Sequence, residues 1–268
     1  MHVLITGAAG FIGSTLADRL LAAGHRVTGV DNFHPYYDRS IKERNAAGLL
    51  GHGEGRLLEL DLAQDDLAPA LDGVEAIVHL AAQAGVRASW GDTFQSYLDA
   101  NVRATQRLLE ASRAKKDLHA WVYGSSASVY GDDATEAVDE SRLPAPHSPY
   151  GVTKLAAEHL AHLYRKNHGL PTLSLRYFSV YGPRERPDKA IQKFLHAAHE
   201  GRGIQVYGDG TQERDFTFVG DVVAATQRAL EEPPVGETMN IARGHTEPLS
   251  AVIEAIREAT GAELPAEH

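Results

Sequence analysis

The stretch VLITGAAGFIG, residues 3–13, decides how the rest of the chain is interpreted. Its first four residues are apolar or β-branched and predict a short buried strand, and LADRLLAAG predicts the amphipathic helix that follows. Gly7, Gly10 and Gly13 recur in steps of three between the two elements. Glycines at a strand-to-helix turn let the backbone bend tightly and let a pyrophosphate approach the free N–H groups of the helix. We therefore expect a dinucleotide to bind at this turn.

The next predicted strand, RVTGV, is followed directly by Asp31, 18 residues after Gly13. A carboxylate at this place accepts hydrogen bonds from the adenosine ribose hydroxyls and repels a 2′-phosphate, which predicts NAD as the cofactor. Because the glycine spacing is looser than the usual G-x-G-x-x-G, the interpretation depends on this context. Further NAD contacts are expected at the turn and at the ends of later strands, from Phe11, Ile12, Asn32, Asp61, Leu62, Leu80, Ala81, Ala82 and Asn101.

Composition limits the partners and sites that this chain can have. The 268 residues, 43% of them hydrophobic, suit one large α/β domain or one domain with a small appendage. A net charge of −10 argues against nucleic acid and anionic membranes as partners. There is no cysteine, which excludes disulfides and thiolate metal sites and makes the cytoplasm the expected location.

Two other classes of site are also not expected. No stretch is long and apolar enough to span a membrane, and the chain begins inside its first predicted strand, which leaves no room for a signal peptide. Two histidine pairs have helical spacing but lack the adjacent acid of patterns such as H-E-x-x-H, so no metal site is predicted. The pairs are His159 with His162 and His196 with His199.

Strand and helix patterns alternate through the first two-thirds of the chain, which predicts an α/β fold with a doubly wound parallel sheet. The predicted elements include a long helix at residues 93–115 and a helix that opens at Tyr150. From Ser179 the rhythm changes, and IQVYGDGTQERDFTFV predicts two short strands around a Gly-Asp-Gly turn. We therefore expect an NAD-binding domain at residues 1–176 and a smaller substrate-binding cap at 177–268, with some segments returning to the sheet.

A catalytic group is predicted from Ser126, Tyr150 and Lys154. On a helix, positions i and i+4 share a face, so Tyr150 and Lys154 point the same way. A free tyrosine is a poor base at neutral pH, but a nearby ammonium and a positive nicotinamide ring favour its phenolate. Lys154 can also bond the nicotinamide ribose, and the Ser126 hydroxyl at a strand end can orient or relay the substrate proton. The pattern predicts proton abstraction beside a nicotinamide.

Taken together, these motifs resemble the extended short-chain dehydrogenases/reductases of the nucleotide-sugar epimerase and dehydratase type. The resemblance runs from Met1 to about Ile241 and adds Tyr177, as a cofactor contact, and Phe178. It implies a Rossmann sheet, bound NAD, a nucleotide-sugar substrate, and a small, shortened C-terminal substrate-binding cap. Five stretches are similar to UDP-glucuronate 4-epimerases: DNFHPYYDRSIKERN, AGVRASW, SPYGVTKLAAE, RYFSVYGPRERPDKAI and VYGDGTQERDFTFV.

The same resemblance implies a UDP-sugar site in the second part of the chain. Ser179 and Arg186 would meet the sugar carboxylate. Gln205 and Tyr207 would flank the uracil, and Arg214 would hold the diphosphate. An arginine suits planar anions because its guanidinium binds them bidentately. The other expected substrate contacts are Arg87, Ser126 and Ser128.

The residues after Ser126 favour epimerisation over the other reactions of the resembled family. Its dehydratases carry an Asp-Glu pair there and its UDP-glucuronate decarboxylases a Glu, whereas this chain has Ala127 and Ser128. Without that carboxylate, oxidation and return of the same hydride is the predicted chemistry. The alternatives are a UDP-glucose or UDP-N-acetylglucosamine 4-epimerase, a decarboxylase or dehydratase, and an inactive NAD-binding scaffold.

Two helices are expected to pair in a homodimer. The helices at residues 93–115 and 150–167 carry apolar and small residues on more than one face, and members of the resembled family pair these helices across a two-fold axis. The residues in question are Leu98, Val102, Leu108, Leu155, Ala156, Leu160 and Leu163. Members of that family also continue past the last helix with a segment that clamps the second phosphate, so we expect an incomplete cap in this sequence.

Overall fold

The computed structural model describes residues 1–131 and 138–267. In chain order, the elements are β1 (His2–Thr6), α1 (Phe11–Ala22), β2 (Arg26–Asp31), α2 (Arg39–Gly51), β3 (Gly55–Glu59), α3 (Ala68–Leu71), β4 (Ala76–His79), α4 (Phe94–Tyr97), α5 (Ala104–Ser112), β5 (Ala120–Ser126), α6 (Pro149–His168), β6 (Thr172–Tyr177), β7 (Ser179–Tyr181), α7 (Ala190–His199), β8 (Ile204–Gln205), β9 (Glu213–Arg214), β10 (Phe216–Phe218), α8 (Val219–Glu231), β11 (Thr238–Ile241), β12 (Glu247–Pro248), α9 (Leu249–Thr260) and β13 (Ala266–Glu267).

Seven strands form one parallel sheet in the order β11-β6-β5-β4-β1-β2-β3. The chain runs outward from β1 through β2 and β3, then crosses back to β4 on the other side of β1. The strand order therefore reverses between β1 and β4, where Thr6 lies opposite His79. Ligands of doubly wound sheets bind at the carboxyl ends of the strands beside such a reversal. The predicted doubly wound α/β sheet is confirmed.

Two apolar layers cover the sheet because its strands alternate their side chains between the faces. In β1, Val3 and Ile5 join the core formed with α1 and α8, while Leu4 joins the core formed with α5 and α6. A parallel sheet that is buried on both faces needs nearly continuous apolar strands, which is what VLI provides. The two layers fix the carboxyl ends of the strands, and therefore the residues that follow them, as one rigid edge.

A third, smaller core lies in the C-terminal part of the chain. It is formed by α7, α9 and the short strands near them, and its largest buried side chains include Phe194, Ile253 and Ile256. Not every late segment belongs to it, because β11 pairs in parallel with β6 and α8 packs against the central sheet. The last short strand, β13, pairs with β8.

Two local predictions are wrong. The single helix expected at residues 93–115 is interrupted by a π-helical turn, Leu98–Arg103, and ends at Ser112. The region expected to hold two short strands has three, β8, β9 and β10, and each pairs with a distant segment. In both cases tertiary hydrogen bonds override a local pattern. Leu108, expected on a dimer surface, is completely buried in the core.

Candidate active site

The glycine turn after β1 packs tightly against the neighbouring strand end. Gly7 has φ +70°, and a Cβ there would lie 2.9 Å from the Ala81 backbone nitrogen. A Cβ on Gly13 would lie 2.2 Å from the Gly7 carbonyl oxygen, so only glycine lets α1 approach the strand this closely. The N-cap of α1 is Gly10, which has no side chain to cap the first amides, those of Phe11, Ile12 and Gly13. This turn fits a pyrophosphate at the helix N-terminus.

Asp31 ends β2 beside this turn, and its carboxylate is buried and already has partners. It accepts hydrogen bonds from the backbone N–H groups of Ala9 at 3.2 Å and Phe33 at 2.9 Å. The Lys42 ammonium of α2 forms an ion pair with it at 3.0 Å. Sequence reasoning missed Lys42, since nothing in the spacing of α2 links it to Asp31. A ribose that binds here would therefore meet an Asp–Lys pair.

Asp61 and Asn32, two of the predicted NAD contacts, form hydrogen bonds within their own loops. The two carboxylate oxygens of Asp61 accept from the Ala63 N–H at 2.8 Å and the Gln64 amide at 3.2 Å. Asn32 is exposed and accepts from the His34 N–H at 3.0 Å. Leu62 is buried in the core. A cofactor contact for these residues stays a prediction.

A buried chain of hydrogen bonds joins the strand ends to the π-helical turn. The Leu80 and Ala81 N–H groups donate to the Thr6 hydroxyl, which lies 2.7 Å from His79 Nδ1. His79 Nε2 lies 2.9 Å from the Thr105 hydroxyl, which donates to the Asn101 carbonyl oxygen. Because the Thr105 hydroxyl donates its proton to that carbonyl oxygen, it accepts a hydrogen bond from His79. His79 therefore donates from Nε2 and accepts at Nδ1. Burial lowers the pKa of His79 to about 3, so it stays neutral.

The π-helical turn places the Asn101 side chain at the start of the catalytic helix. Asn101 accepts from the Gln83 N–H at 2.7 Å and donates to the Thr153 hydroxyl at 2.9 Å. Thr153 in turn donates to the carbonyl oxygen of Tyr150. A π-bulge is a common device for re-aiming a functional side chain in a helix. Asn101 thus ties the strand-end loop to α6, in addition to its predicted cofactor contact.

Tyr150 lies in the first turn of α6, which Ser148 caps by accepting from the Gly151 N–H. Burial raises the pKa of the Tyr150 phenol, while hydrogen bonding with Ser126 and the charge of Arg186 partly oppose that rise. Its ring packs edge-on against Tyr97, with centroids 6.2 Å apart. The structure thus brings together Ser126 and Tyr150, as predicted, and adds Arg186.

Lys154 shares the predicted face with Tyr150, but its ammonium is held inside the protein. Its Nζ donates to the Gly124 carbonyl oxygen at 2.6 Å and lies 4.4 Å from the centroid of the Tyr123 ring. Burial lowers the pKa of Lys154 to about 7, and the nearby Glu158 carboxylate opposes that change. Lys154 is therefore anchored to the end of β5.

A buried ion pair lies near Lys154 and was not predicted from the sequence. Both carboxylate oxygens of Glu158 accept from Arg176 of β6, at 3.0 and 2.8 Å, and one also accepts from Ser125 at 2.5 Å. The third Arg176 nitrogen donates to the Tyr130 hydroxyl at 2.7 Å. Because this network joins α6, β5 and β6, it holds the catalytic helix in register with the strand ends.

Arg186 is held in the loop between β7 and α7 by an internal carboxylate. Its Nε and Nη2 donate to the two oxygens of Asp188, at 2.9 and 2.8 Å. The Tyr36 hydroxyl donates to Asp188 at 3.4 Å, and the Tyr36 ring lies 5.4 Å from the guanidinium. Asp188 and Tyr36 were not singled out from the sequence, although each lies in a stretch that carries the family resemblance.

Two of the other predicted substrate residues contact each other. Arg87 stacks on the ring of Tyr207, with its guanidinium carbon 4.2 Å from the centroid. Gln205 donates to the Glu267 carbonyl oxygen at 3.3 Å, and Arg214 is exposed on β9. Ser179 opens β7 and Ser128 donates its N–H to Ser126, but among residues 1–131 and 138–267 no hydrogen bond or ion pair joins Gln205 or Arg214 to Tyr150.

Tyr177 has a second role besides the predicted one. Its hydroxyl lies 2.8 Å from that of Thr226 on α8, inside the core, so any cofactor contact falls to its ring or backbone. Across residues 1–131 and 138–267, no three His, Cys, Asp or Glu side chains are arranged to hold a metal ion. In the same part of the chain no helix is long and apolar enough to cross a membrane.

Comparison with known proteins identifies the family. The NAD dependent epimerase/dehydratase family matches residues 3–242. The Bacillus subtilis (strain 168) protein YtcB, called an uncharacterized UDP-glucose epimerase, is 41% identical over 97% of this chain and 83% of its own length. The crystal structure of UDP-glucuronic acid 4-epimerase from Bacillus cereus, with UDP-glucuronic acid and NAD, superposes with a TM-score of 0.96 at 40% identity, covering 100% of this chain and 85% of that one.

MoeE5 is a third similar protein, with structures in complex with UDP-glucuronic acid and NAD and with UDP-glucose and NAD. The first superposes with a TM-score of 0.87 at 40% identity and covers 100% of this chain and 85% of MoeE5. The second gives a TM-score of 0.87 at 39% identity, over 99% and 84%. The seven-stranded parallel sheet agrees with these relationships. The chain belongs to the NAD dependent epimerase/dehydratase family.

Proposed function

We propose that this protein catalyses the NAD-dependent 4-epimerisation of a UDP-hexuronate, interconverting UDP-glucuronate and UDP-galacturonate. The observation that carries the proposal is the position of Arg186, whose charge acts on the Tyr150 phenol and whose own pKa is affected by Tyr150 in return. A guanidinium beside the base suits a sugar that carries a carboxylate. The Bacillus cereus relative, which is named for this reaction, supports the proposal.

The proposed mechanism gives each catalytic side chain one task. The glycine turn and Asp31 would hold NAD, which would supply reversible hydride transfer at the fourth carbon of the sugar, with return to the opposite face. Tyr150, directly or through Ser126, removes the proton from the hydroxyl on that carbon and gives it back after the sugar has turned. Lys154 would bond the nicotinamide ribose from the same helix face, while Ser126 and the charge of Arg186 oppose the rise in the phenol pKa that burial causes.

Arg186 has a second task if the sugar is a hexuronate. Oxidation at the fourth carbon makes a β-keto acid, which loses carbon dioxide easily. We propose that Arg186, with Ser179, holds the carboxylate in a conformation that resists this loss. Ala127 and Ser128 follow Ser126, so no acid stands there to support decarboxylation or the loss of a hydroxyl.

UDP-glucose is the second candidate substrate, and one observation favours it. Arg186 is already neutralised by Asp188, so the pocket offers a balanced ion pair, which an uncharged hydroxymethyl group tolerates. MoeE5 has been crystallised with both sugars, and YtcB is named for UDP-glucose. The two candidates differ only in how strongly the pocket prefers a carboxylate.

The test uses purified protein, NAD and either UDP-sugar, with products separated by chromatography. Wild type should convert UDP-glucuronate to UDP-galacturonate with little UDP-4-keto-pentose. Tyr150→Phe should lower the rate by about 10²–10⁴-fold, the usual contribution of general acid–base catalysis, while retaining NAD. Tyr164→Phe removes a hydroxyl near the other end of the same helix, where it bonds Gln106 and Glu110 of α5, and should have little effect on the rate. If Tyr150→Phe keeps full activity, the proposed base is wrong.

The carboxylate assignment is tested by Arg186→Ala. This change should weaken the binding of UDP-glucuronate relative to that of UDP-glucose by a few kcal/mol. Removing the charged partner of a buried carboxylate typically costs ~3–5 kcal/mol. Arg202→Ala removes an exposed arginine and serves as the control. An unchanged preference between the two sugars would replace the hexuronate assignment with the hexose one.

We also propose a homodimer that pairs α4 and α5 with α6 across a two-fold axis. On α6, Val152 and Leu163 are each 49% exposed, although the opposite face of this helix packs against the sheet. Leu98 and Val102 are half-buried on the neighbouring helix. Exposed apolar side chains in a row favour a protein contact. The cytoplasm and the division into domains at residues 176 and 177 stay predictions from the sequence.

A further inference from the structure

Arg186 reaches the substrate side of the cleft as one half of an ion pair. Asp188 occupies Nε and Nη2 in a bidentate arrangement, and within residues 1–131 and 138–267 Nη1 makes no hydrogen bond. The side chains are only 20% and 34% exposed, so water screens the pair incompletely. Burial alone would raise the pKa of Asp188, but the Arg186 guanidinium lowers it, and Asp188 therefore stays ionised. The pair carries no net charge.

A second carboxylate that approaches Arg186 meets this internal one. A substrate carboxylate either shares the guanidinium with Asp188, which brings two like charges together, or displaces Asp188 from it. Either event costs free energy that an uncharged hydroxymethyl group does not incur. The hydroxyl of Tyr36 donates only a long hydrogen bond of 3.4 Å to Asp188, so the Arg186 guanidinium is the main partner of that carboxylate.

We propose that Asp188 is a specificity-determining residue, which limits the preference of this site for a carboxylated sugar over its uncharged analogue. The inference rests on the proposed function, because it concerns the sugar that meets Tyr150 and Arg186. It predicts that the wild-type protein accepts both UDP-glucuronate and UDP-glucose. It also predicts that the charge of Asp188, rather than its shape, sets the ratio between them.

Asp188→Asn tests this directly, since it keeps the size and one acceptor oxygen and removes the charge. The ratio of kcat/KM for UDP-glucuronate to that for UDP-glucose should rise by at least about fivefold, ~1 kcal/mol, through a lower KM for UDP-glucuronate. Asp221→Asn makes the same change in net charge at an exposed position of α8 and should move the ratio by less than about twofold. Tyr36→Phe keeps both charges of the pair and should also move it by less than about twofold.

The outcomes separate the inference from the proposed function. If Asp188→Asn leaves the ratio of kcat/KM for UDP-glucuronate to that for UDP-glucose unchanged or lowers it, the inference is overturned. A lower ratio would show that Asp188 instead orients Arg186 toward the substrate. Thermal unfolding and retained NAD verify that the variant is folded. If turnover is too slow, calorimetric binding of the two UDP-sugars gives the same ratio. A wild type that epimerises only UDP-glucose would refute the proposed function, whereas a wild type that uses both sugars with an unmoved ratio refutes only the role of Asp188.

Discussion

Glu185 makes the stability of this protein depend on pH in a predictable direction. It lies in the loop that carries Arg186, is 5% exposed, and its Oε2 has no hydrogen-bond partner among the residues that the structure describes. Burial raises its pKa to about 7, although Lys189 and Arg186 oppose the rise and Asp188 adds to it. Glu185→Gln keeps the shape of the side chain and removes its titration.

The size of the effect follows from the pKa. Since the folded pKa lies above the ordinary value of 4.5, the folded protein retains a proton that the unfolded chain releases. The free energy of unfolding of wild type therefore falls, relative to Glu185→Gln, as the pH rises from about 4.5 to about 7. At about 1.36 kcal/mol per pKa unit, the free energy of unfolding of wild type falls by ~3 kcal/mol relative to Glu185→Gln. The full difference is present above the folded pKa.

Urea denaturation of both proteins at about pH 4.5 and about pH 7.5 measures this difference. We expect Glu185→Gln to gain ~3 kcal/mol on wild type between the two pH values. Glu258→Gln, an exposed substitution on α9, is the control and should show no such trend. If the difference between wild type and Glu185→Gln is the same at both pH values, the Glu185 carboxyl is not desolvated and the reasoning is wrong.

Three other predictions follow from the cofactor site, the proposed dimer and the buried ion pair. Wild type should bind NAD at least about tenfold more tightly than NADP, ~1.4 kcal/mol, in calorimetry. Asp31→Ala should reduce this difference in affinity, because Lys42 then faces the ribose without its carboxylate partner. Light scattering at micromolar concentration should give a dimer, and a monomer would contradict the pairing of α6 with α4 and α5. Glu158→Ala leaves Arg176 buried without a counter-ion and should lower the free energy of unfolding, measured by urea denaturation, by ~3–5 kcal/mol. A loss below about 1 kcal/mol, the upper limit for exposed ion pairs, would contradict this prediction.

Local patterns in the sequence determined the central features of the cofactor site. The glycine turn, Asp31 at the end of β2, and Tyr150 with Lys154 on one face of α6 all depend on contacts within a few residues or on a fixed helical period. Glycine is needed wherever backbone approaches backbone, so its spacing predicted the turn even though one of the close approaches, that of Ala81 to Gly7, comes from a distant segment. The alternation of strands and helices gave the doubly wound sheet for the same reason.

Only the tertiary structure decided which charged groups face one another. The pairs Asp31–Lys42, Glu158–Arg176 and Arg186–Asp188 were not predicted, and the first two join separate elements. Likewise, no helical period predicts that Asn101 of the π-helical turn bonds Gln83 in the loop after β4, or that Thr105 of α5 meets His79 of β4. A helix or strand period fixes which face a side chain occupies, whereas its ionic partner depends on how whole elements pack. Arg186 and Asp188 lie two residues apart in one loop, and there the conformation of the loop, which no helix or strand period predicts, brings the two charges together.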